Sequence, residues 1–516
     1  MPQTLVAQLQ PPVKGLNYRT PAIKLDPQEA LILDNLLPQP ASAELRSGYV
    51  EHVINIPGAV MTLAPFIGNL FEDNKVFAFT NDGKVYDATY ETTAPASIAT
   101  TLQVDGIWDY TNSQGPVENY LIMVSPGGGY WTYSKSGGFV ERTLTGDGAG
   151  KRFSAVFNWK ERVWLVEENS TKCYYLDPGA IEGDATMFNF GPVMNQGGWL
   201  SYGTNWTFNA GYDIDDYLIL VTTGGEVIVY KGTDPTDVNT FALQGVWYIG
   251  RTCAGNKGYT TFGGEVFVLS ALGVVPVSKL VNGGVANDYA VSSAKIQPQL
   301  NQVFTTYANN FGWELETFYN RNFLMIKTPV KTSGKYSSWV MNVQTGAWGT
   351  ISGMPMNCSS QVIDDIYFGT TDGRVCKAFV GDTDGQSIDG TPGRPIVGAY
   401  LGGFNDYDTP TYLKTWQLAR PIMLSDDTPS VGAKVLTEYE QAMPAINASV
   451  TGDGSGGRFN VNSWNQCVWS GGTNTYSGWV GLNGLGYYGA LAISLTGPGG
   501  TQYISTNVTL TQGGVM

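Results

Sequence analysis

The chain has 516 residues and a formal net charge of −15, and only 14% of its residues are charged. This acidic balance argues against a protein that grips the phosphate backbone of nucleic acids, because phosphate contacts need lysine and arginine. It also argues against binding to anionic membranes. The length predicts two to four domains, or one large β architecture with accessory parts.

The composition favours an all-β protein. Glycine accounts for 65 residues and the aromatic residues for 12% of the chain. Glycine supplies tight turns, and aromatic side chains suit the surface of a pleated sheet.

The stretch "KLDPQEALILDNLLPQP", residues 24–40, predicts a short helix of roughly three turns. Asp26 can serve as the N-cap, Pro27 fits the first helical position, and Glu29 completes a capping box. Pro38 ends the element. We therefore expect an N-terminal arm that contains one short helix.

Six segments repeat one pattern, in which two apolar runs flank a turn of Gly, Asn or Asp. Each predicts a β-hairpin. They begin at Asn74, Glu118, Glu161, Asp215, Gly264 and Asp364, and a weaker seventh copy begins at Arg321. Their spacing of about 40 to 55 residues is typical of propeller blades, which pack four-stranded sheets around an axis. The rival interpretation is a series of β-sandwiches.

The predicted organisation has three parts. Residues 1–58 form the N-terminal arm, residues 59–392 an irregular β-propeller, and residues 393–516 a smaller C-terminal β platform domain that begins after the break "GTPGRP". An insertion at residues 288–310 is expected to be partly helical. The N-terminus has no signal peptide pattern, and no apolar run approaches the ~20 residues that span a bilayer.

The five cysteines include no Cys-x-x-Cys pair, so we expect them to be reduced and mostly buried, in a soluble chain made in a reducing compartment.

The segment "GLNYRTPAIKLDPQEALILDNLLPQPASAELRSGYVEHV" resembles the N-terminus of a family of short-tailed phage proteins, the tail nozzle or tail hub proteins. The family is also called tail tubular protein B or packaged-DNA stabilisation protein. The ending "YISTNVTLTQGGVM" is similar to the terminal strand of the same family. The residues that carry the family signature are Gly15, Leu16, Asn17, Arg19, Ala30, Leu33, Asp34, Asn35, Glu44, Leu45, Arg46, Gly48 and Tyr49.

The resemblance implies a structural virion protein of the phage tail that is assembled in the host cytoplasm. It implies a homohexamer that docks on the tail adaptor (head-to-tail connector) protein and meets tail fibres or spikes. Packaged DNA would pass through its channel without sequence-specific binding, be retained there and later be ejected. It implies no catalysis, and the signature residues would serve structure or docking.

Residue types that support catalysis are few. His52 is the only histidine, so a Ser–His–Asp system would have to use it, and a packing role is favoured. Propeller glycosidases need two carboxylates that flank a sugar. The candidates are the Asp215–Asp216 and Asp364–Asp365 pairs, Glu161, Glu314 and Glu316. Because both Asp pairs stand at the entry to a strand, a structural role is favoured for them.

Other motifs are weaker still. The run "GDTDGQSIDG" at 381–390 resembles half a calcium loop but lacks the closing Glu. The aromatic cluster Trp199, Tyr202 and Trp206 could stack on sugars, although sheet packing is the commoner role. We therefore predict no cofactor, no metal ligand and no catalytic residue. The alternatives to a tail nozzle are a propeller-based receptor-binding or glycan-degrading tail protein and a propeller scaffold for cellular partners.

Overall fold

The computed structural model describes residues 4–99, 105–209, 214–237, 239–283, 292–332, 335–446, 448–449, 451–452 and 474–515. Over these residues the chain folds as an irregular β-propeller joined to a smaller β region, as the sequence predicts. Both parts are built from mainly antiparallel sheets, and the N-terminal segment contributes strands to each of them.

The N-terminal segment is a series of short strands. Their bounds are β1 (Thr4–Leu9), β2 (Gly15–Leu16), β3 (Glu29–Ala30), β4 (Ile32–Asp34), β5 (Leu36–Pro38), β6 (Ala43–Leu45) and β7 (Tyr49–Val53). Its helical content within the described residues is one 3-10 turn at Ala22–Lys24.

The helix predicted over residues 24–40 is therefore wrong. Asp26 accepts a hydrogen bond from the backbone N–H of Gln28, but the chain then extends instead of coiling. The Leu31 N–H donates to the Leu401 carbonyl, and β4 lies between two partner strands. An isolated helix of this length is marginal in water, so pairing with distant strands outweighs the local capping signal.

The propeller sheets follow one another along the chain. The first comprises β8 (Val60–Phe66), β9 (Lys75–Thr80), β10 (Val85–Asp87) and β11 (Ser97–Ala99). The second comprises β12 (Asp109–Gln114), β13 (Asn119–Ser125), β14 (Gly129–Ser134) and β15 (Gly138–Glu141). The third comprises β16 (Leu144–Gly146), β17 (Phe153–Trp159), β18 (Arg162–Glu167), β19 (Lys172–Tyr175) and β20 (Gly183–Asn189).

The later part of the propeller also contains two helices, which lie between β27 and β28 in sequence. The next sheet comprises β21 (Leu200–Asn209), β22 (Ile214–Thr222), β23 (Glu226–Lys231) and β24 (Ala242–Tyr248). It is followed by the sheet of β25 (Tyr259–Phe262), β26 (Glu265–Ser270) and β27 (Gly273–Pro276), and then by the helices α1 (Val277–Gly283) and α2 (Gln297–Tyr307). The last propeller strands are β28 (Glu314–Phe318), β29 (Phe323–Thr332), β30 (Lys335–Asn342) and β31 (Ala347–Ile351) in one sheet, and β32 (Cys358–Val362), β33 (Asp365–Gly369) and β34 (Val375–Ala378) in another.

All of the predicted hairpins are present as antiparallel pairs, namely β9–β10, β13–β14, β18–β19, β22–β23, β26–β27, β33–β34 and the weaker β29–β30. Their apolar runs are buried on both faces, as in Leu121–Val124. The helical expectation for residues 288–310 is also confirmed in its described part, where α2 buries Leu300 and Phe304.

The ring of sheets is closed by both ends of the propeller chain. Sheets pack side by side through β12 and β17, through β17 and β21, and through β25 and β28, and β32 packs against β8. The sheet of β32–β34 takes its next strand from the N-terminal segment, because β7 pairs antiparallel with β34. It then extends through β35 (Thr383–Gln386) and β36 (Arg394–Pro395).

The C-terminal region completes two large sheets. Its strands are β37 (Gly398–Leu401), β38 (Tyr412–Ser425), β39 (Ser430–Thr437), β40 (Ala448–Ser449), β41 (Thr451–Gly452), β42 (Asn474–Ser477), β43 (Val480–Gly486), β44 (Gly489–Thr496) and β45 (Gln502–Val515). One sheet runs from the propeller strands β28–β31 through β4 into β37, β44, β39 and β40. One hydrophobic core likewise contains Leu324 and Trp348 of the propeller together with Trp416 and Leu491 of the C-terminal region.

Four cysteines, Cys173, Cys253, Cys358 and Cys376, are buried and unpaired, which confirms the expectation for them. Cys467 lies outside the described residues. No described helix has both the length and the apolar character needed to cross a membrane.

Candidate functional site

Three of the signature residues, Asp34, Asn35 and Arg46, meet where the propeller joins the C-terminal region. Arg46 is at the centre, and its side chain is fully buried. Its Nη1 and Nη2 donate to the two carboxylate oxygens of Asp384, both at 2.7 Å. Its Nε donates to Oδ1 of Asn35 at 2.7 Å, and Nη2 also reaches the Ser352 carbonyl at 2.7 Å. We call Asp34, Asn35, Arg46, Ser352 and Asp384 the Arg46 junction.

Asn35 links the three parts of the chain that meet at this junction. Its backbone is left-handed, with a φ of 56°, a conformation that Asn tolerates better than most residues. Its Nδ2 donates to the Val397 carbonyl at 3.0 Å. The neighbouring Asp34 accepts hydrogen bonds from Ser352 and Thr350, while its burial raises the pKa of the carboxyl group.

Two signature glycines are required by close backbone approaches. Gly15 has a φ of +71°, and a Cβ there would lie 2.4 Å from the Trp348 carbonyl oxygen. A Cβ at Gly48 would lie 1.9 Å from the Thr383 carbonyl oxygen. Neither position can accept a side chain without movement of the backbone.

Most of the other signature residues are buried or make contacts within the chain. Asn17 donates to Glu29 at 2.7 Å, and Tyr49 packs edge-on against Phe368 with ring centroids 5.2 Å apart. Leu16, Ala30, Leu33 and Leu45 are fully buried, Glu44 is half-buried, and Arg19 is exposed.

Most of the acidic candidates form ion pairs or cap strands. Asp216 pairs with Lys160 at 2.7 Å, Asp365 pairs with Lys377 at 2.5 Å, and Asp364 accepts a hydrogen bond from Asn320 at 2.7 Å. The side chain of Asp215 lies outside the described residues. Glu161 has a φ of 57° in the β17–β18 turn. These contacts place the candidates at separate strand ends, not around one site.

His52 is a buried packing residue. Its Nε2 lies 3.1 Å from the Ala88 carbonyl oxygen, and its ring packs edge-on against Tyr367. Burial lowers the pKa of the imidazole.

The acidic run at 381–390 does not converge on a common point. Asp384 belongs to the Arg46 junction, Asp382 accepts a hydrogen bond from the Gly499 N–H, and Asp389 accepts one from the Thr391 N–H. Across the described part of the chain, no group of three or more His, Cys, Asp or Glu residues could hold a metal ion.

The structure does bring Glu314 and Glu316 together. They alternate along β28, so their side chains point to the same face of the strand. That face meets Asp109 and Tyr110 of β12, Lys257 before β25, and Ser359 of β32 around a cavity of about 260 Å³, where four sheets of the propeller meet. We call these residues, together with Lys327, the channel cluster.

Glu314 is held by two ammonium groups. Its Oε1 lies 3.3 Å from Nζ of Lys257, and its Oε2 bonds to Nζ of Lys327. Ser359 Oγ lies 2.5 Å from Oε2 of Glu316 and 3.2 Å from Oε2 of Glu314, so the two carboxylates contact one hydroxyl group. Burial opposes ionisation of Glu314, but the two lysines outweigh it and lower the pKa of this carboxyl group.

The other two carboxylates of the channel cluster behave in the opposite way. Burial, reinforced by the charge of Glu314, raises the pKa of Glu316 to about 7. Burial also raises the pKa of Asp109 to about 7, although its Oδ2 accepts a hydrogen bond from the Val156 N–H at 2.7 Å. The cluster therefore combines one carboxylate that is locked in its ionised form with two that can hold a proton near neutral pH.

Sequence reasoning named Glu314 and Glu316 but missed Asp109, Tyr110, Lys257, Lys327 and Ser359. The available signal was the polarity of the first strand of some sheets. "DYTNSQ" at β12 and "ELETF" at β28 interrupt a series of apolar strands. A polar first strand in a propeller faces the central channel.

No family model matches the chain, and no curated protein matches it. Among solved structures, the WD40 β-propeller domain of Doa1 is 8% identical, over 64% of this chain and 96% of that one, with a TM-score of 0.38. The computationally designed Ika8 protein is 11% identical, over 64% and 99%, with a TM-score of 0.35. BBS1N, solved in complex with ARL6DN, is 11% identical, over 65% and 98%, with a TM-score of 0.41.

Proposed function

We propose that the chain is a structural virion protein that forms the tail nozzle or hub of a short-tailed phage. In this role it continues the portal–adaptor channel, retains packaged DNA and allows its ejection. The observation that carries the proposal is the Arg46 junction. Three signature residues, Asp34, Asn35 and Arg46, converge on one buried interface, which ties the propeller to the C-terminal region.

A junction of this kind suits a protein that transmits mechanical force between its parts. A fully buried arginine that is bound in a fork by one carboxylate resists rotation between the parts it joins. The continuous sheet through β4 adds a second connection between the same parts. Two such connections would let the chain transmit force along a tail without flexing between its halves.

The proposed assembly is a homohexamer in the virion tail, built in the host cytoplasm and bound to the tail adaptor and to fibres or spikes. Six copies of a chain at −15 would carry a formal charge of −90. Where that charge lines the lumen, it would keep DNA phosphates away from the wall and let the DNA slide. A lumen lined by lysine and arginine would contradict this part of the proposal.

The experiment that tests the proposal is gold-labelled antibody imaging of intact particles from the source lysate. Label at the distal end of an axial short tail, with none on lateral fibres, is expected. Label on fibres or spikes would favour the alternative of a receptor-binding or glycan-degrading tail protein. An absence of particle label would overturn the virion role.

One observation favours the glycan-degrading alternative, which is the paired Glu314 and Glu316 with pKa values shifted in opposite directions. Acid–base pairs in glycosidases have this property. Against it, both oxygens of Glu314 are already bound by lysines, so the proposed function includes no catalysis. Release of reducing sugar from a polysaccharide panel, abolished in Glu316→Gln, would reverse this choice.

A further inference from the structure

A second cavity, of about 550 Å³, opens at one end of the propeller ring. Its wall contains Ile107, Ser154 and Leu200, which lie at or just before the starts of β12, β17 and β21. It borders the channel cluster, because Asn256 lines both cavities. None of the residues of the Arg46 junction lines this cavity.

Two large aromatic side chains at this cavity are exposed to solvent. Trp199 is 44% exposed and Phe311 is 48% exposed, and both line the cavity. Most large aromatic side chains of the propeller are buried and pack against other rings. Among the described residues, neither Trp199 nor Phe311 contacts another aromatic ring or a cation over its face. Both therefore offer ring surface to a ligand.

The position of Trp199 is fixed by its backbone. The Trp199 N–H donates to Oγ1 of Thr223 at 3.1 Å, and the Thr223 N–H donates to the Trp199 carbonyl at 2.9 Å. The preceding Gly197 and Gly198 have φ values of +70° and +84°, which turn the chain onto the rim. A backbone segment held in this way loses little conformational freedom when a ligand binds.

Phe311 follows the end of α2, four residues after Tyr307. The Ala254 N–H donates to the Ala308 carbonyl at 2.7 Å, which ties the 251–256 loop to the helix end. Gly255 of that loop lies close to the Phe311 ring, since a Cβ at Gly255 would be 3.6 Å from it. The two aromatic residues thus stand on separate, anchored supports.

The other side chains of the cavity wall include several polar groups, and the wall is nearly neutral, with Glu168 and Arg251 as its charged residues. Asn256 donates to the Ser154 carbonyl at 3.0 Å, Ser201 donates to the Gly255 carbonyl at 3.0 Å, and Arg251 bonds to Oδ1 of Asn309. The carboxylate of Glu168 is paired with Arg152 at 3.1 Å. The amide and hydroxyl groups supply both donors and acceptors, and the guanidinium group supplies donors alone.

This combination matches one ligand class better than others. A pyranose ring has apolar C–H faces that stack on aromatic rings and hydroxyl groups that both donate and accept hydrogen bonds. A nucleotide would need several cations for its phosphates, whereas the cavity offers Arg251 alone among its lining residues. We propose that this cavity binds a saccharide, with Trp199 and Phe311 as stacking platforms and Arg251, Asn256 and Asn309 as hydrogen-bonding groups.

The test is isothermal titration calorimetry of the full chain with oligomers of glucose, galactose, N-acetylglucosamine and rhamnose, and with sialyllactose. At least one is expected to bind. Trp199→Ala and Phe311→Ala are each expected to weaken that binding by about tenfold or more, a change of about 1.4 kcal/mol by the conversion of affinity to free energy. The matched control is Trp479→Ala, which removes another exposed indole, 53% exposed and next to Arg420 in the C-terminal region, and should leave binding unchanged.

Three results would overturn the proposal. They are an absence of binding by every saccharide, wild-type affinity in both cavity variants, and displacement of the bound saccharide by AMP, which would indicate a nucleotide site instead. Circular dichroism of each variant verifies that it is folded. The proposal does not depend on the tail role, because label on an axial tail and saccharide binding are separate readouts.

Discussion

At the scale of single residues, the buried charge of Arg46 matters most. Its guanidinium group has no contact with solvent, and its partner Asp384 is only 9% exposed at the side chain. Both charges are therefore satisfied only by each other and by neighbouring hydrogen bonds. Removal of one partner leaves the other buried and uncompensated.

We predict that Arg46→Ala lowers the free energy of unfolding by about 3–5 kcal/mol. The measurement is urea denaturation followed by far-UV circular dichroism. Arg152→Ala is the matched control, since the Arg152 side chain is 64% exposed and its pair with Glu168 should contribute about 1 kcal/mol or less. A loss in Arg46→Ala no larger than in the control would show that the Arg46 junction does not stabilise the fold.

The channel cluster gives a pH dependence with a definite sign. Glu316 has a pKa of about 7 in the folded chain, against about 4.3 for an unfolded chain. Between these values the folded state binds more protons than the unfolded state, so stability decreases as pH rises. The contribution of the group is fully present below about pH 4 and is lost once pH passes about 7.

We therefore predict that Glu316→Gln makes the protein more stable than the wild type at pH 8, and that this advantage shrinks as the pH is lowered towards 5. Urea denaturation at both pH values measures the difference. Glu72→Gln, at an exposed position of the β8–β9 connection, is the control variant. An equal effect of Glu316→Gln at pH 5 and pH 8 would contradict the raised pKa.

At the scale of elements, strands that pair within a short segment were predictable from the sequence, whereas strands that pair with distant partners were not. The hairpins were predictable because both strands and the turn lie within one short segment. The N-terminal strands were not, because β4 pairs with β31 and β37, more than 300 residues away in sequence. Asp26, Pro27 and Glu29 match the pattern of a helix N-cap. Nothing in the neighbouring sequence indicates that β4 pairs instead with the edges of β31 and β37.

The channel cluster was only partly predictable for a similar reason. Glu314 and Glu316 are acidic and two residues apart in one strand, so inspection finds them. Asp109 and Lys257 come from other sheets, and only closure of the ring places them beside β28. Sequence spacing alone does not contain that geometry.

Two truncations should separate the roles of the N-terminal strands. Deletion of residues 1–10 removes β1, an outer strand that pairs with β45, and should leave a folded chain. Deletion of residues 1–53 also removes β4 and β7 and exposes the edges of β31, β34 and β37. We predict soluble, protease-resistant protein from the first deletion and aggregated protein from the second. Equal solubility of both would contradict the bridging role of the segment.

At the scale of the whole molecule, the propeller and the C-terminal region share a sheet and a hydrophobic core. Separate units would unfold independently, but units that share a strand lose that strand together. We predict a single calorimetric transition in which the van't Hoff enthalpy equals the calorimetric enthalpy. Two resolved transitions would show that β4 can be released from one side without unfolding the other.

The place of β7 in the ring also has a consequence for synthesis. During translation the N-terminal strands wait for partners that are made much later, since β7 requires β34 and β1 requires β45. Pairing across such long sequence distances is slow, because loop-closure entropy must be overcome before the contacts form. A nascent chain would therefore carry unpaired β edges through most of its translation. Expression at low temperature or with a holding chaperone should raise the yield of this protein more than that of a propeller closed within one hairpin.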